Sequence, residues 1–132
     1  MSTIRCACAA SIGAAVAFIY AGAAAADASS ETVTAATHAQ LAVSAGDLNG
    51  VHTHLHHTLN CLVGPGGNGF DAKELNPCAQ SGRGAIPDTA DAAKKASLES
   101  AADKARAGLA SNSVKEARAD ASAAASLLKG AK

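Results

Sequence analysis

The hydrophobic residues from position 29 onward recur at intervals of three and four, which is the period of an amphipathic α-helix. Four segments have this pattern: about 30–45, 48–63, 89–110 and 114–129. None of them alternates apolar and polar residues with the period of two that is typical of strands. The pattern therefore predicts an all-α fold.

Turn and capping residues group these helices into two hairpins. Gly46 and Asp47 form a short turn between the first two segments, so we expect these helices to pack antiparallel. Residues 111–113 form a similar polar turn between the last two segments. The predicted N-caps are Ser29 or Ser30, Asp47, Asp88 or Thr89, and Ser113.

The last two segments carry alanine-rich stripes of coiled-coil type, which would let their backbones approach closely. We therefore predict one helical domain, 29–132, in which two antiparallel helical hairpins form a four-helix bundle. A long loop, 64–88, connects the hairpins. The stripes are Leu98, Ala102, Ala105 and Leu109 in one segment, and Val114, Ala117, Ala121, Ala124 and Leu128 in the other.

Residues 1–28 have the pattern of a secretory signal peptide. A single basic residue, Arg5, precedes an apolar stretch that ends in small residues, and cleavage after Ala26 or Ala28 fits the rule for such sites. A retained membrane anchor is the alternative, but the high alanine content and the small residues favour cleavage. We therefore expect a periplasmic or secreted protein without a stable membrane span.

Removal of this peptide would leave two cysteines, Cys61 and Cys78. An even number of cysteines in an exported chain predicts a disulfide bond. This bond would close a loop of about 17 residues and contribute about 3 kcal/mol of stability in the chain-entropy model. Use of the two sulfurs as thiolate metal ligands is the alternative.

Composition and charge narrow the possible functions. The formal net charge is zero, which argues against a general nucleic-acid binder. The chain has no C-x-x-C-H motif for covalent haem attachment and no nucleophile beside a base, so we do not predict an enzyme. Phe70 would be the only aromatic residue after cleavage, which counts against noncovalent haem binding.

Four of the five histidines lie in the second predicted helix. At about 100° per residue, its leucine and valine residues share one buried face. His52 and His56 lie at one edge of this face, whereas His54, His57 and Cys61 lie on the opposite side. The histidines therefore form two pairs rather than one cluster.

Either pair has suitable spacing for a metal ion, because residues three or four apart are neighbours on a helix. Two such imidazoles can share Cu²⁺, Ni²⁺ or Zn²⁺. The hairpin turn places His38 at about the level of residues 54–56, so we prefer a site made of His38, His52 and His56.

The second pair would lie beneath the loop that Cys61 anchors. Asp71 and Glu74 of that loop could then supply carboxylate ligands to His54 and His57. Alternatively, all these histidines are structural, and the protein is a non-metal interaction bundle whose 64–88 loop recognises an unknown protein partner.

The spacing of His38, the Gly46–Asp47 turn and the His52-x-His54-x-His56-His57 run resembles that of small histidine-rich periplasmic metal-binding proteins. These are alanine-rich four-helix bundles, and the resemblance covers about 30–63 and 89–129. It implies an exported protein that binds a late first-row metal. Such proteins carry histidines in both hairpins, but this chain has none after His57, which implies at most one or two sites.

Overall fold

The computed structural model describes residues 27–132. The predicted signal peptide lies outside this part of the chain, except for its last two residues. Residues 27–132 form five helices and no strand, which confirms the all-α prediction. The helices are α1 (Ala28–Ser44), α2 (Leu48–Val63), α3 (Ala85–Asp88), α4 (Ala92–Ala110) and α5 (Val114–Gly130).

Helix α2 has the predicted bounds because both of its ends have strong local signals. The side chain of Asp47 accepts a hydrogen bond from the backbone N–H of Gly50 at 2.8 Å, which is the usual N-cap interaction. Gly64 ends the helix with a φ of 66°. A Cβ atom at Gly64 would lie 1.5 Å from the carbonyl oxygen of Arg83, so this position requires glycine.

Two other helix starts differ from the prediction. Helix α1 begins earlier, because Asp27 rather than a serine caps it and accepts a hydrogen bond from the N–H of Ser30. Helix α4 begins later, with Asp91 as its cap. Asp88 is not available as that cap, since it belongs to α3 and its carboxylate binds Arg83 at 2.8 Å. The predicted 64–88 loop therefore contains a short helix.

The four long helices pack in a ring, in which α1 contacts α2 and α5, and α4 likewise contacts α2 and α5. This arrangement is compatible with the predicted four-helix bundle. Its core combines three leucines of α2 with alanines from the other helices and one leucine each from α4 and α5. Among residues 27–132, no helix combines the length and apolarity needed to cross a membrane.

The segment between α2 and α4 is fastened to the helices at several points. Cys61 and Cys78 form the predicted disulfide bond, so the alternative of two thiolate metal ligands is wrong. The fully buried Asn60 donates through its side-chain nitrogen to the carbonyl of Asp71 and accepts from the N–H of the same residue, both at 2.9 Å. At the far end, the buried Glu31 accepts from the N–H of Gly84.

Candidate metal centre

Three histidines from two helices meet on one side of α2. Each of His38, His54 and His57 offers a ring nitrogen that lies within 4.8 Å of the nitrogens of the other two. The Nδ1 atoms of His38 and His54 are 3.4 Å apart. The ring of His57 meets the ring of His38 edge-on, with 5.0 Å between the ring centroids. We call these three residues the histidine triad.

The triad follows from the geometry of α1 and α2. His54 and His57 are three residues apart on α2, so they lie on one face of the helix. His38 lies level with His54, as the turn at residues 46–47 predicts. The predicted partners of His38 were His52 and His56, however, and the structure brings His54 and His57 to it instead.

The other two histidines have different neighbours. The Nε2 atom of His52 is 3.0 Å from the carbonyl oxygen of Ser111, in the turn between α4 and α5. His56 lies beside the loop, with its Nδ1 atom 4.0 Å from a carboxylate oxygen of Asp71. Helix α1 packs on the flank of α2 that carries His54, which leaves His52 on the side of α4 and α5.

The loop also reaches the triad. A carboxylate oxygen of Glu74 lies 4.0 Å from the Nε2 atom of His57. The loop therefore lies over the second helix as predicted, with Glu74 beside His57 and Asp71 beside His56 rather than His54.

The triad is partly shielded from water, which favours the neutral form of its imidazoles. His57 is buried, and His38 and His54 are half-buried. Burial lowers the pKa of His38 below its ordinary value, and the neighbouring His57 and His54 lower it further. Burial also lowers the pKa of His57, with a further decrease from His54 that Glu74 opposes. A neutral imidazole has the free lone pair that a metal ion needs.

The spacing of the nitrogens suits a shared ion. Two ligands at about 2.0–2.1 Å from a tetrahedral Zn²⁺ lie about 3.3 Å from each other. The Nδ1 atoms of His38 and His54 already have nearly this separation, at 3.4 Å. Three imidazoles would leave the fourth position for water or another ligand.

Sequence reasoning missed the residue that holds the loop in place. Asn60 follows His57 by one helical turn, and its side-chain nitrogen also lies 3.2 Å from the carbonyl oxygen of Leu75. The only signal in the sequence is an amide side chain next to Cys61, on a helix whose neighbouring positions are apolar.

The chain matches no protein-family model, and no curated protein or solved structure shows significant similarity to it.

Proposed function

We propose that this protein is an exported four-helix bundle of two hairpins that binds one late first-row metal ion, Cu²⁺, Ni²⁺ or Zn²⁺. The ligands are His38, His54 and His57. The observation that carries this proposal is the convergence of three ring nitrogens, each within 4.8 Å of the other two.

The donor set favours these metals over others. Imidazole nitrogen is a preferred ligand of zinc, copper and nickel, whereas calcium and magnesium prefer carboxylate and carbonyl oxygens. The sulfurs of Cys61 and Cys78 are joined in a disulfide and offer no thiolate. A single triad supports a binder or carrier of one ion rather than a store of many.

Export is supported by the disulfide bond, since such bonds persist in oxidising compartments.

The N-cap of α1 also helps to choose between the two predicted cleavage sites. Cleavage after Ala26 would keep Asp27, whose side chain caps the helix, whereas cleavage after Ala28 would remove this cap. We therefore favour cleavage after Ala26, which N-terminal sequencing of the exported protein would test.

Calorimetric titration with Cu²⁺, Ni²⁺ and Zn²⁺ tests the metal proposal. We expect one ion per chain for the disulfide-bonded protein, and affinities at least about tenfold lower for His38→Ala, His54→Ala and His57→Ala, because each removes a ligand. The matched control is the His52→Ala/His56→Ala double variant, which removes two histidines outside the triad and should bind normally. Equal uptake by the control and the triad variants would contradict the proposal.

A second candidate function is recognition of a protein partner by the 64–88 loop. The observation that favours it is Leu75, a large apolar residue of this loop that is 62% exposed. If the protein binds no metal, and Leu75→Ser prevents crosslinking of the loop to a defined partner, this second function would replace the first.

A further inference from the structure

We propose that Glu74 is a positioning residue for the metal centre. Its carboxylate holds the ring of His57 in the tautomer with hydrogen on Nε2, and thereby leaves Nδ1 free to bind the ion. This inference rests on the proposed metal-binding function and adds a residue that binds no metal itself.

The surroundings of the two ring nitrogens of His57 differ. The Nε2 atom faces a carboxylate oxygen of Glu74 at 4.0 Å. The Nδ1 atom is buried and has no hydrogen-bond partner among residues 27–132. A neutral imidazole has one nitrogen that donates and one that accepts, and a carboxylate can only accept. The hydrogen is therefore expected on Nε2, which makes Nδ1 the nitrogen with the free lone pair.

Glu74 is held close to His57 by the backbone around it. Asn60, one turn further along α2, binds the carbonyl and the N–H of Asp71 and approaches the carbonyls of Glu74 and Leu75 at 3.4 and 3.2 Å. Segment 71–75 is thus fixed to the helix that carries His57. A rotation of the Glu74 side chain could shorten the 4.0 Å separation to hydrogen-bond length without moving the loop.

Such an arrangement has a known physical effect on metal sites. A carboxylate that accepts the second N–H of a ligand imidazole fixes the orientation of the ring and makes it a stronger donor, and its loss typically reduces metal affinity by about 10–100-fold. Among residues 27–132, no carboxylate lies within ion-pair distance of His38 or His54, so His57 is the ligand on which this effect would act.

The chain contains its own control for this inference. Asp71 lies 4.0 Å from His56, the same separation as between Glu74 and His57. Asp71 belongs to the same loop segment, but His56 is not in the triad. Neutralising each carboxylate separately compares two pairs with the same separation. Asp71 faces the Nδ1 atom of a histidine outside the triad, whereas Glu74 faces the Nε2 atom of a histidine within it.

The experiment measures Zn²⁺ affinity and the ¹⁵N chemical shifts of the imidazoles in the protein and in three variants. Glu74→Gln and Asp71→Asn remove one charge each, and Glu74→Ala removes the acceptor. We expect the Nε2–H tautomer of His57 in the unchanged protein. Glu74→Ala should shift the tautomer population and weaken Zn²⁺ binding by about 10–100-fold. Glu74→Gln keeps an oxygen acceptor but loses the charge, so it should change both quantities in the same direction by a smaller amount. Asp71→Asn should change neither the His57 tautomer population nor the Zn²⁺ affinity.

The outcomes separate this inference from the metal proposal. If the unchanged protein does not bind Zn²⁺, Cu²⁺ or Ni²⁺, the proposed function itself fails. If it binds Zn²⁺ and the Glu74 variants bind equally well, only the role of Glu74 is overturned. Weaker binding with an unchanged His57 tautomer would also overturn that role, because Glu74 would then act as a ligand or as a general charge. Thermal unfolding curves that match that of the unchanged protein would exclude loss of the fold as the cause of weaker Zn²⁺ binding in a variant.

Discussion

The two long helix pairs bury different kinds of residues. Helices α4 and α5 bury alanine, leucine and a single glycine. Helices α1 and α2 also bury leucine, valine and alanine, but they contain every buried polar or charged residue of the part of the chain that the structure describes. These residues are Glu31, Thr32, His57, Thr58 and Asn60.

This difference separates a helix pair that stabilises the fold, α4 and α5, from a helix pair that carries the candidate metal ligands, α1 and α2. A helix pair built on alanine and leucine is held by close packing, which depends on shape and does not select a ligand. Buried polar groups must instead have partners, since an unsatisfied one costs about 1–3 kcal/mol. In α1 and α2 the two threonines bond to carbonyls of these helices, and Glu31 and Asn60 bond to the connecting loop. By our proposal, the partner of His57 is a metal ion. Changes at Glu31 or Asn60 should therefore loosen the loop, whereas changes at the buried residues of the second pair should alter packing alone.

The largest expected effect comes from the disulfide between α2 and the loop. Replacing Cys61 and Cys78 by serine should lower the free energy of unfolding by about 3 kcal/mol, because the bond closes a loop with a sequence separation of 17. Urea unfolding measures this change. A double variant with unchanged stability would show that Asn60 and Glu31 hold the loop without the bond.

The next effect concerns Asn60. Replacement by alanine removes its hydrogen bonds to the loop and should cost about 1–3 kcal/mol. It should also increase amide hydrogen exchange at Asp71, whose N–H would lose its acceptor. The matched control is Asn49→Ala, because Asn49 is an exposed residue of the same helix. Equal stability losses in both variants would contradict a special role for Asn60.

Local signals in the sequence predicted much of the fold, but they did not predict the histidine triad. The bounds of α2 follow from Asp47 and Gly64, and the disulfide follows from the number of cysteines. The choice of His54 over His52 as a neighbour of His38 depends on which flank of α2 receives α1. That choice is set by the hand of the bundle and by contacts between helices distant in the sequence, so helical periodicity does not specify it.

The start of α4 shows how a local signal can be misleading. Asp88 has the right side chain and an adequate position for an N-cap, so the sequence alone favours it equally with Thr89. Its carboxylate binds Arg83 instead, and Asp91 caps the helix. Because several short polar residues compete for the same role here, only their tertiary partners determine which one caps the helix.

A smaller effect is expected from glycines in the second helix pair. A Cβ atom at Gly108 would lie 2.6 Å from a methyl carbon of Leu55, so Gly108→Ala should crowd the core between α4 and α2. Overpacking of this kind costs about 1–3 kcal/mol, and the better helix propensity of alanine recovers up to about 1 kcal/mol. We therefore expect a net loss of about 1 kcal/mol in thermal unfolding.

Gly130→Ala is the matched control for this prediction. A Cβ atom at Gly130 would meet no atom within 4 Å, so the same substitution should be neutral or slightly stabilising there. Metal binding should survive Gly108→Ala in the folded protein, because the second helix pair contributes no member of the triad. If this variant stayed folded but lost metal binding, the separate roles of the two helix pairs would be contradicted.

The smallest expected effect is the pH dependence of the metal-free protein. Burial lowers the pKa of His38 and of His57 below the ordinary value of 6.5. Between the lowered pKa values and 6.5, the unfolded chain binds more protons than the folded one, so stability rises with pH in this window. The stabilising contribution is fully present above about pH 6.5 and is lost as the pH falls through the window.

Urea unfolding in the presence of a chelator, between pH 5 and 7.5, would measure this effect. Burial raises the pKa of Glu31 above 4.5, and this shift makes stability fall as the pH rises. The series is therefore best done in a Glu31→Gln background. In that background, His38→Gln and His57→Gln should each reduce the loss of stability at low pH, whereas His52→Gln should preserve the contribution of the triad. If both triad variants retain the full pH dependence, the buried imidazoles are not its source. The first helix pair would then differ from the second in its hydrogen bonds to the loop but not in its response to protons.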